Sequence, residues 1–390
     1  MGRDRGRPAA QPRVGPGSGP GEKLMDEHFD VVIVGGSFAG LAVAMQLPDH
    51  RVLLVDQYPI GSHPMSACGT PLQTVQAVGA ERSIQAVHRT LVLHIGQREV
   101  RFPLRDPFVT FDYRRFCQEM LAQTNADVWQ ARVTQMGADF AATTRGRVQA
   151  SFVVDASGWR SQPGADTPTQ APRGYGLETE LPITWDAPGL HFYVEKALVA
   201  NGYAWIFPCG QTTRFGVGSF DKSLQLRPVL AHFLSRYHLS PGDTHGGVLV
   251  IAPRAPVVNG VFRVGDAAGH CLPLSGEGIR TAIFHGIHCG RAIAGVLAGS
   301  LTRQEAEALY RLQVRGNERF QARLLTLQTL VAHTPEWLLA LAGQICARPA
   351  LTHRIMGRYL TESGWFTRAS GVATTHSREK QPQEHLSRSH

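Results

Sequence analysis

Residues Gly35-Gly-Ser-Phe-Ala-Gly40 carry the first recognisable chemistry in this chain. They follow an apolar run, Phe29 to Val34, and precede a helical pattern, Leu41 to Leu47, which Pro48 closes. A strand that ends in glycines and turns into a helix brings backbone amides up to a pyrophosphate. Gly35 allows the tight turn. Gly36, Ser37, Phe38 and Ala39 let the backbone approach the phosphates, and Gly40 lets helix and strand pack. Ser37 replaces the second glycine of G-x-G-x-x-G; it is small, and its hydroxyl can donate to a phosphate oxygen. The positive end of the helix would face that phosphate. Asp56 closes a second buried strand, Arg51 to Asp56. It falls about twenty residues on, where a carboxylate accepts hydrogen bonds from an adenosine ribose. These residues predict a bound dinucleotide.

Further candidates lie elsewhere. Tyr203, Trp205 and Phe207 alternate along Gly202-Tyr-Ala-Trp-Ile-Phe-Pro208 and so share one face of a strand. That face suits either core packing or a cavity wall. Aromatic faces can stabilise developing positive charge, by ~1–2 kcal/mol when desolvated. Cys68 and His270 are candidate proton sources; the same residues also suit an inert buried thiol and a hydrogen-bonded structural histidine. The cysteines at 68, 117, 209, 271, 289 and 346 form no CxxC pair. That argues against a zinc site or a disulfide framework and for reduced thiols in a cytoplasm.

The elements that must position these groups can also be read. Phe29–Val34, Leu41–Leu47 and Arg51–Asp56 form a βαβ unit and call for an open parallel sheet. Ser151–Val154 and Gly260–Val264 read as further strands, and Phe111–Gln123 contains an amphipathic helix. Stretches 65–107 and 170–250 are β-rich and broken by Pro and Gly, as an inserted sheet would be. Beyond Ile279 the pattern turns helical: through Ala294, over Glu305–Val331, and over Pro335–Ala347. The chain has 390 residues, enough for a large core. Residues 1–26 and 372–390 read as polar, disordered tails. No apolar run reaches the roughly 18–20 residues that span a bilayer, and no secretory signal core is visible. The net charge of +8 suits solubility or attraction to anionic lipid heads or a diphosphate. Nothing supports nucleic-acid binding.

Three distant segments together resemble a known family. They are Val31–Gly40, Asp155-Ala-Ser-Gly-Trp-Arg-Ser161 and Gly265-Asp-Ala-Ala-Gly-His-Cys-Leu-Pro-Leu-Ser-Gly-Glu-Gly-Ile279. In this order they resemble the FAD-contacting segments of the flavoprotein hydroxylase and geranylgeranyl reductase superfamily. The resemblance implies an α/β fold: a Rossmann-like FAD-binding domain of the p-hydroxybenzoate hydroxylase type, with an inserted β-sheet substrate domain and C-terminal helices. The expected boundaries are 27–64, 108–168 and 251–298 for FAD binding, 65–107 and 169–250 for substrate, and 299–371 for the helices. It implies that Asp266 accepts from a ribityl hydroxyl, that Gly265, Pro273, Gly276, Gly278 and Ile279 lie beside the flavin ring, and that Gln57 and Val133 touch the cofactor. Arg114 becomes a candidate phosphate partner, although the family's arginine position is occupied by Tyr113 in another reading.

The aromatic segment 202–208, with Gly216-Val-Gly218, resembles the Y-x-W-x-F-P substrate segment of geranylgeranyl reductases. This implies that Tyr203, Trp205 and Phe207 bind substrate, and that Cys68 or His270 gives a proton during reduction of isoprenoid double bonds. Cys68 stands where the family has a cysteine before glycine, but Thr70 and Pro71 replace the glycine run that follows. The alternative is an FAD-dependent monooxygenase or halogenase of an aromatic or polyketide substrate. Halogenases carry a related W-x-W-x-I-P segment, from which Tyr203 and Phe207 depart. One nucleotide fingerprint is visible, so electrons are expected from transient NAD(P)H or a redox protein. The apolar stretch Leu324–Ala347, broken at His333-Thr-Pro-Glu336, suits a core hairpin, the roof of a lipid-shaped cavity or a peripheral membrane contact.

Overall fold

The computed structural model describes residues 27–64, 66–161 and 173–364. The tails expected at 1–26 and 372–390 lie outside the described residues.

The chain opens with β1 (His28–Val34), α1 (Phe38–Ala44) and β2 (Val52–Asp56). It then runs through β3 (Gly69–Pro71), α2 (Leu72–Ala77) and the long hairpin β4 (Ile84–Ile95) and β5 (Arg98–Phe111). Helix α3 (Tyr113–Leu121) leads to β6 (Asp127–Gln130), β7 (Val133–Met136), β8 (Phe140–Thr143) and β9 (Gly146–Asp155). A second excursion holds β10 (Arg173–Leu181), β11 (Leu190–Val194), β12 (Gly202–Cys209), β13 (Thr212–Ser219), α4 (Leu226–Ser235) and β14 (Thr244–Val250). Then β15 (Val257–Val258) and β16 (Val261–Arg263) precede α5 (Ile279–Leu297), α6 (Arg303–His333), α7 (Glu336–Cys346) and α8 (Pro349–Glu362).

Two sheets result. The first has the order β15-β16-β9-β1-β2-β6, and its inner pairs are parallel. Such strands are covered on both faces and read as unbroken apolar runs. Val31 and Ile33 pack on the α1 and α5 side, while Val32, Leu53 and Val153 fill the other. Gly40 makes the strand–helix contact possible: a Cβ there would lie 1.9 Å from the Gly35 carbonyl oxygen. The second sheet has the order β14-β10-β13-β12-β11-β4-β5-β3. One of its faces packs on α4 through Ile206, Phe215 and Phe233. The other faces a cavity.

The βαβ unit, the later strands and the three helical stretches after Ile279 form close to where the sequence places them. Helix α1 begins at Phe38, ahead of its apolar pattern, because the loop glycines end the strand at once. The β-rich stretches also contain α2 and α4. Helix α4 is short, and its apolar stripe (Leu230, Phe233, Leu234) is satisfied only by the back of the sheet. A capping box starts α6: Thr302 Oγ1 accepts from Glu305 N at 3.2 Å, and Glu305 Oε2 accepts from Thr302 N at 2.8 Å.

Candidate active site

At the end of β1, Gly35 has φ +107° and donates its N–H to Val55 O at 2.8 Å. Gly36 N donates to Asp56 Oδ2 at 2.8 Å, and Tyr58 N to Asp56 Oδ1 at 2.8 Å. The Asp56 carboxylate thus ties the glycine loop to the end of the neighbouring strand. Ser37 Oγ bonds the Tyr113 hydroxyl at 3.0 Å. On β9, Asp155 accepts from Ser157 Oγ and Ser161 Oγ, both at 2.6 Å. Asp155 therefore shapes its turn from behind, while Ala156 to Arg160 line the cavity.

That cavity, of about 1170 Å³, runs past both sheets. It is larger than the ~300–1,000 Å³ typical of a single small-molecule site. One end is lined by Gly35, Gly36, Ser37, Phe38 and Ala39, by Asp56, Gln57 and Val133, and by Arg132 and Arg160. The middle is lined by Gly265, Asp266, Gly276, Gly278 and Ile279. Burial pushes the Asp266 carboxyl up to about 7, against the lowering pull of Arg254. The residues present fit a flavin. Glycines leave the backbone bare along the wall, two guanidinium groups stand at the loop end for an anion, and Asp266 is a largely desolvated carboxyl awaiting a donor.

The second sheet supplies a floor whose rows follow from its register. Across one row stand Leu93, Phe192, Trp205, Gly216, Glu178 and His245, each the cross-strand partner of the next. The adjacent row is Tyr203, Gly218, Gly176 and Gly247. The glycines let the Trp205 indole lie flat over the sheet: a Cβ on Gly216 would be 2.1 Å from its ring, and one on Gly218 3.3 Å. Trp205 Nε1 donates to Glu178 Oε2 at 2.6 Å. His245 Nε2 is 3.2 Å from Glu178 Oε1, and Arg214 Nε lies 3.9 Å from the same oxygen. Phe192 packs edge-on against Tyr203 and Phe207, at 5.8 and 5.3 Å between centroids.

Residues 272–278, the loop that would face a flavin, are held from several directions. Leu274, a non-glycine at φ +68°, donates its N–H to Gln328 Oε1 of α6 at 2.7 Å. Tyr203 OH donates to Ser275 O at 2.6 Å. Tyr359 of α8 donates to Glu277 Oε2 at 2.6 Å and bonds Ser275 Oγ at 2.9 Å. Arg280, wholly buried, grips Glu277 at 2.6 and 2.9 Å and reaches Ser363 at 2.8 Å.

Most residues singled out from the sequence do meet at this cavity, and four do not. Gly40 is spent on packing. Pro273 is buried behind the loop and outside the lining. Arg114 is exposed and outside the lining; Tyr113 takes the wall position, because the α3 turn points the preceding side chain inward. His270 is also outside it. Gly269, at φ +71°, turns the chain so that His270 Nδ1 accepts from Gly265 N at 3.2 Å and its ring packs, tilted, against His285 with 4.0 Å between centroids. Burial alone lowers its pKa to about 3, so it is a neutral structural histidine. Cys68 lines the cavity with φ +52°; its thiol donates to Ser66 O at 3.2 Å, and burial pushes its pKa well up. Sequence reasoning missed Glu178, His245, Arg132 and Tyr359. The alternation Gly174-Tyr-Gly176, repeated at Gly216-Val-Gly218, was the signal for the bare floor.

The Lycopene cyclase protein family model matches residues 30–188. A digeranylgeranylglycerophospholipid reductase of Methanoculleus marisnigri is 24% identical over 350 residues, 75% of this chain and 83% of that one. A geranylgeranyl bacteriochlorophyll reductase-like structure from Thermoplasma acidophilum shares the fold with TM-score 0.76 and 18% identity, covering 86% of this chain and 96% of that one. A p-nitrophenol 4-monooxygenase from Pseudomonas putida DLL-E4 has TM-score 0.69 and 15% identity, covering 87% and 100%. In sequence, then, this chain is similar to a digeranylgeranylglycerophospholipid reductase, and in fold it is similar to a geranylgeranyl bacteriochlorophyll reductase-like structure and to a p-nitrophenol 4-monooxygenase.

Proposed function

We propose that the protein binds FAD and reduces carbon–carbon double bonds of an isoprenoid chain. The observation that carries this reading is the continuity of one cavity. It passes from the glycine loop and Asp56, through the flavin loop, onto an apolar floor that extends under α6, α7 and α8. A dinucleotide fills the first part, and a flexible apolar chain suits the second. Sequence similarity to a digeranylgeranylglycerophospholipid reductase over most of both chains supports the same substrate class.

Bound reduced flavin supplies two electrons and one hydrogen. The protein's own residues do the rest. The face of Trp205 lies open to a ligand on the floor, and its N–H bond to the Glu178 carboxyl oxygen raises the electron density of the ring. Both features favour positive charge developing on a tertiary carbon above it, by ~1–2 kcal/mol when water is excluded. Tyr203 is fixed through Ser275, so the aromatic strand and the flavin loop keep a constant spacing. Electrons would come from NAD(P)H or a redox protein acting transiently. Exposed Leu330, Trp337, Leu341 and Ile345 surround the helices whose inner sides, at Val331 and Leu339, line the cavity. They support contact with a lipid surface that holds the substrate. Among the described residues no helix is long and apolar enough to cross a membrane.

The test is anaerobic reduction of the purified yellow holoprotein, followed by prenyl alcohols, diphosphates or quinones. The expected result is flavin reoxidation with gain of two hydrogens per double bond in the product, read by mass spectrometry. Failure with every prenyl substrate, or gain of an oxygen atom under air, would favour the monooxygenase alternative instead.

A further inference from the structure

We propose that His245, which stands 3.2 Å from Glu178 Oε1, is the residue that delivers the proton when a double bond is reduced; this rests on the reductase reading above. Reduced flavin accounts for only one of the two hydrogens an alkene must gain. The other has to arrive as a proton inside a largely apolar cavity.

The geometry narrows the donors. His270 is outside the cavity. Cys68 is a deeply buried thiol already bonded to Ser66 O. The Tyr203 hydroxyl donates to Ser275 O. Glu277 is clasped by Arg280 and Tyr359. Asp266 lines the cavity beside Gly278, 3.9 Å from a Cβ built there, where the proposed reading commits it to the cofactor and not to the substrate. His63 stacks on Tyr58 at the dinucleotide end.

His245 stands on β14, which also carries Leu249, 3.4 Å from a Cβ built on Gly276. The strand thus ends beside the loop 272–278 and bears His245 near its start, four residues before Leu249 and ~13 Å along it. Its side chain is one-quarter exposed at the cavity, and the paired Glu178 side chain is 3% exposed. Glu178 gives one carboxylate oxygen to the Trp205 indole and turns the other toward His245 Nε2. The indole and the imidazole are therefore registered to each other through a single buried carboxylate. Nε2 faces that carboxylate, so Nδ1 is the nitrogen that can meet a ligand. The charged groups nearest the imidazole across the sheet are Glu178 and Glu180 of β10 and Arg214 of β13.

In the step itself, the π electrons of the alkene form a C–H bond to the proton while the imidazolium N–H bond breaks. The neighbouring carbon, electron-poor above Trp205, would take the hydride that bound reduced flavin supplies, the flavin giving up two electrons. The neutral imidazole regains its proton from water.

The experiment uses reduced holoprotein, anaerobic, with geranylgeraniol as the probe. His245→Gln should keep its yellow absorbance and its geranylgeraniol affinity, measured by titrating the oxidised form. Its substrate-driven flavin reoxidation should be slower by ~10²-fold or more. The pH profile of the rate should differ between wild type and variant. Free imidazole should restore part of the rate to His245→Ala. Reoxidation of His245→Gln at the wild-type rate with the wild-type pH profile would overturn the assignment alone. A wild-type protein that geranylgeraniol does not reoxidise would remove the reductase reading and this assignment with it.

Discussion

Trp205 illustrates how one side chain depends on the absence of others. Its indole occupies space that a Cβ on Gly216 would enter at 2.1 Å. Gly216→Ala should therefore tilt the ring off the sheet, cost about 1–3 kcal/mol in stability, and weaken prenyl-ligand binding while flavin binding persists. Thermal melts and two ligand titrations check this. Asp266 gives a pH signature. Its carboxyl, pushed up to about 7 by burial, binds a proton more tightly in the folded protein than in the unfolded chain. The folded state is favoured while that proton is held and loses the advantage as pH rises through about 7. In flavin-free protein, Asp266→Asn should melt above wild type at about pH 8 and show a smaller gap at about pH 5, the difference being roughly a few degrees. Equal melting gaps at both values would refute the argument.

At the level of elements, the flavin loop is clamped by groups remote in sequence: Arg280 on α5, Gln328 on α6 and Tyr359 on α8. Tyr359→Phe removes the bonds to Glu277 and Ser275. Each is worth about 1–3 kcal/mol where a charged or buried partner is left behind. Roughly tenfold weaker flavin retention should follow, visible as flavin fluorescence released on dilution; unchanged retention would show that the loop needs no support from α8. This contact also marks how far a sequence can be read. The parallel strands, the glycine loop with Asp56, and the long helices were legible because apolar runs, turn glycines and helical apolar periodicity are local signals. The placement of Tyr359 was not, since nothing near it refers to Ser275. His270 misled because its position in the third segment suggests the ring, whereas the left-handed Gly269 sends its side chain toward His285. Glu178 and His245 became meaningful only when the register aligned them with Trp205.

Taken whole, the molecule joins a largely parallel sheet to a second sheet and roofs the junction with helices that carry exposed Leu330, Trp337 and Ile345. Holoprotein should sediment with anionic phospholipid vesicles, and Trp337→Ser with Leu341→Ser should reduce the bound fraction severalfold without loss of yellow colour. Equal binding by both proteins would place the lipid contact elsewhere. The remaining consequence comes from the bare floor. Gly176, Gly218 and Gly247 offer a linear guest no notch that would fix one stretch of it over Trp205. Such a guest can slip lengthwise, presenting its unsaturated units in turn during a single residence. Early time points should then contain untouched and fully saturated chains in preference to halfway species.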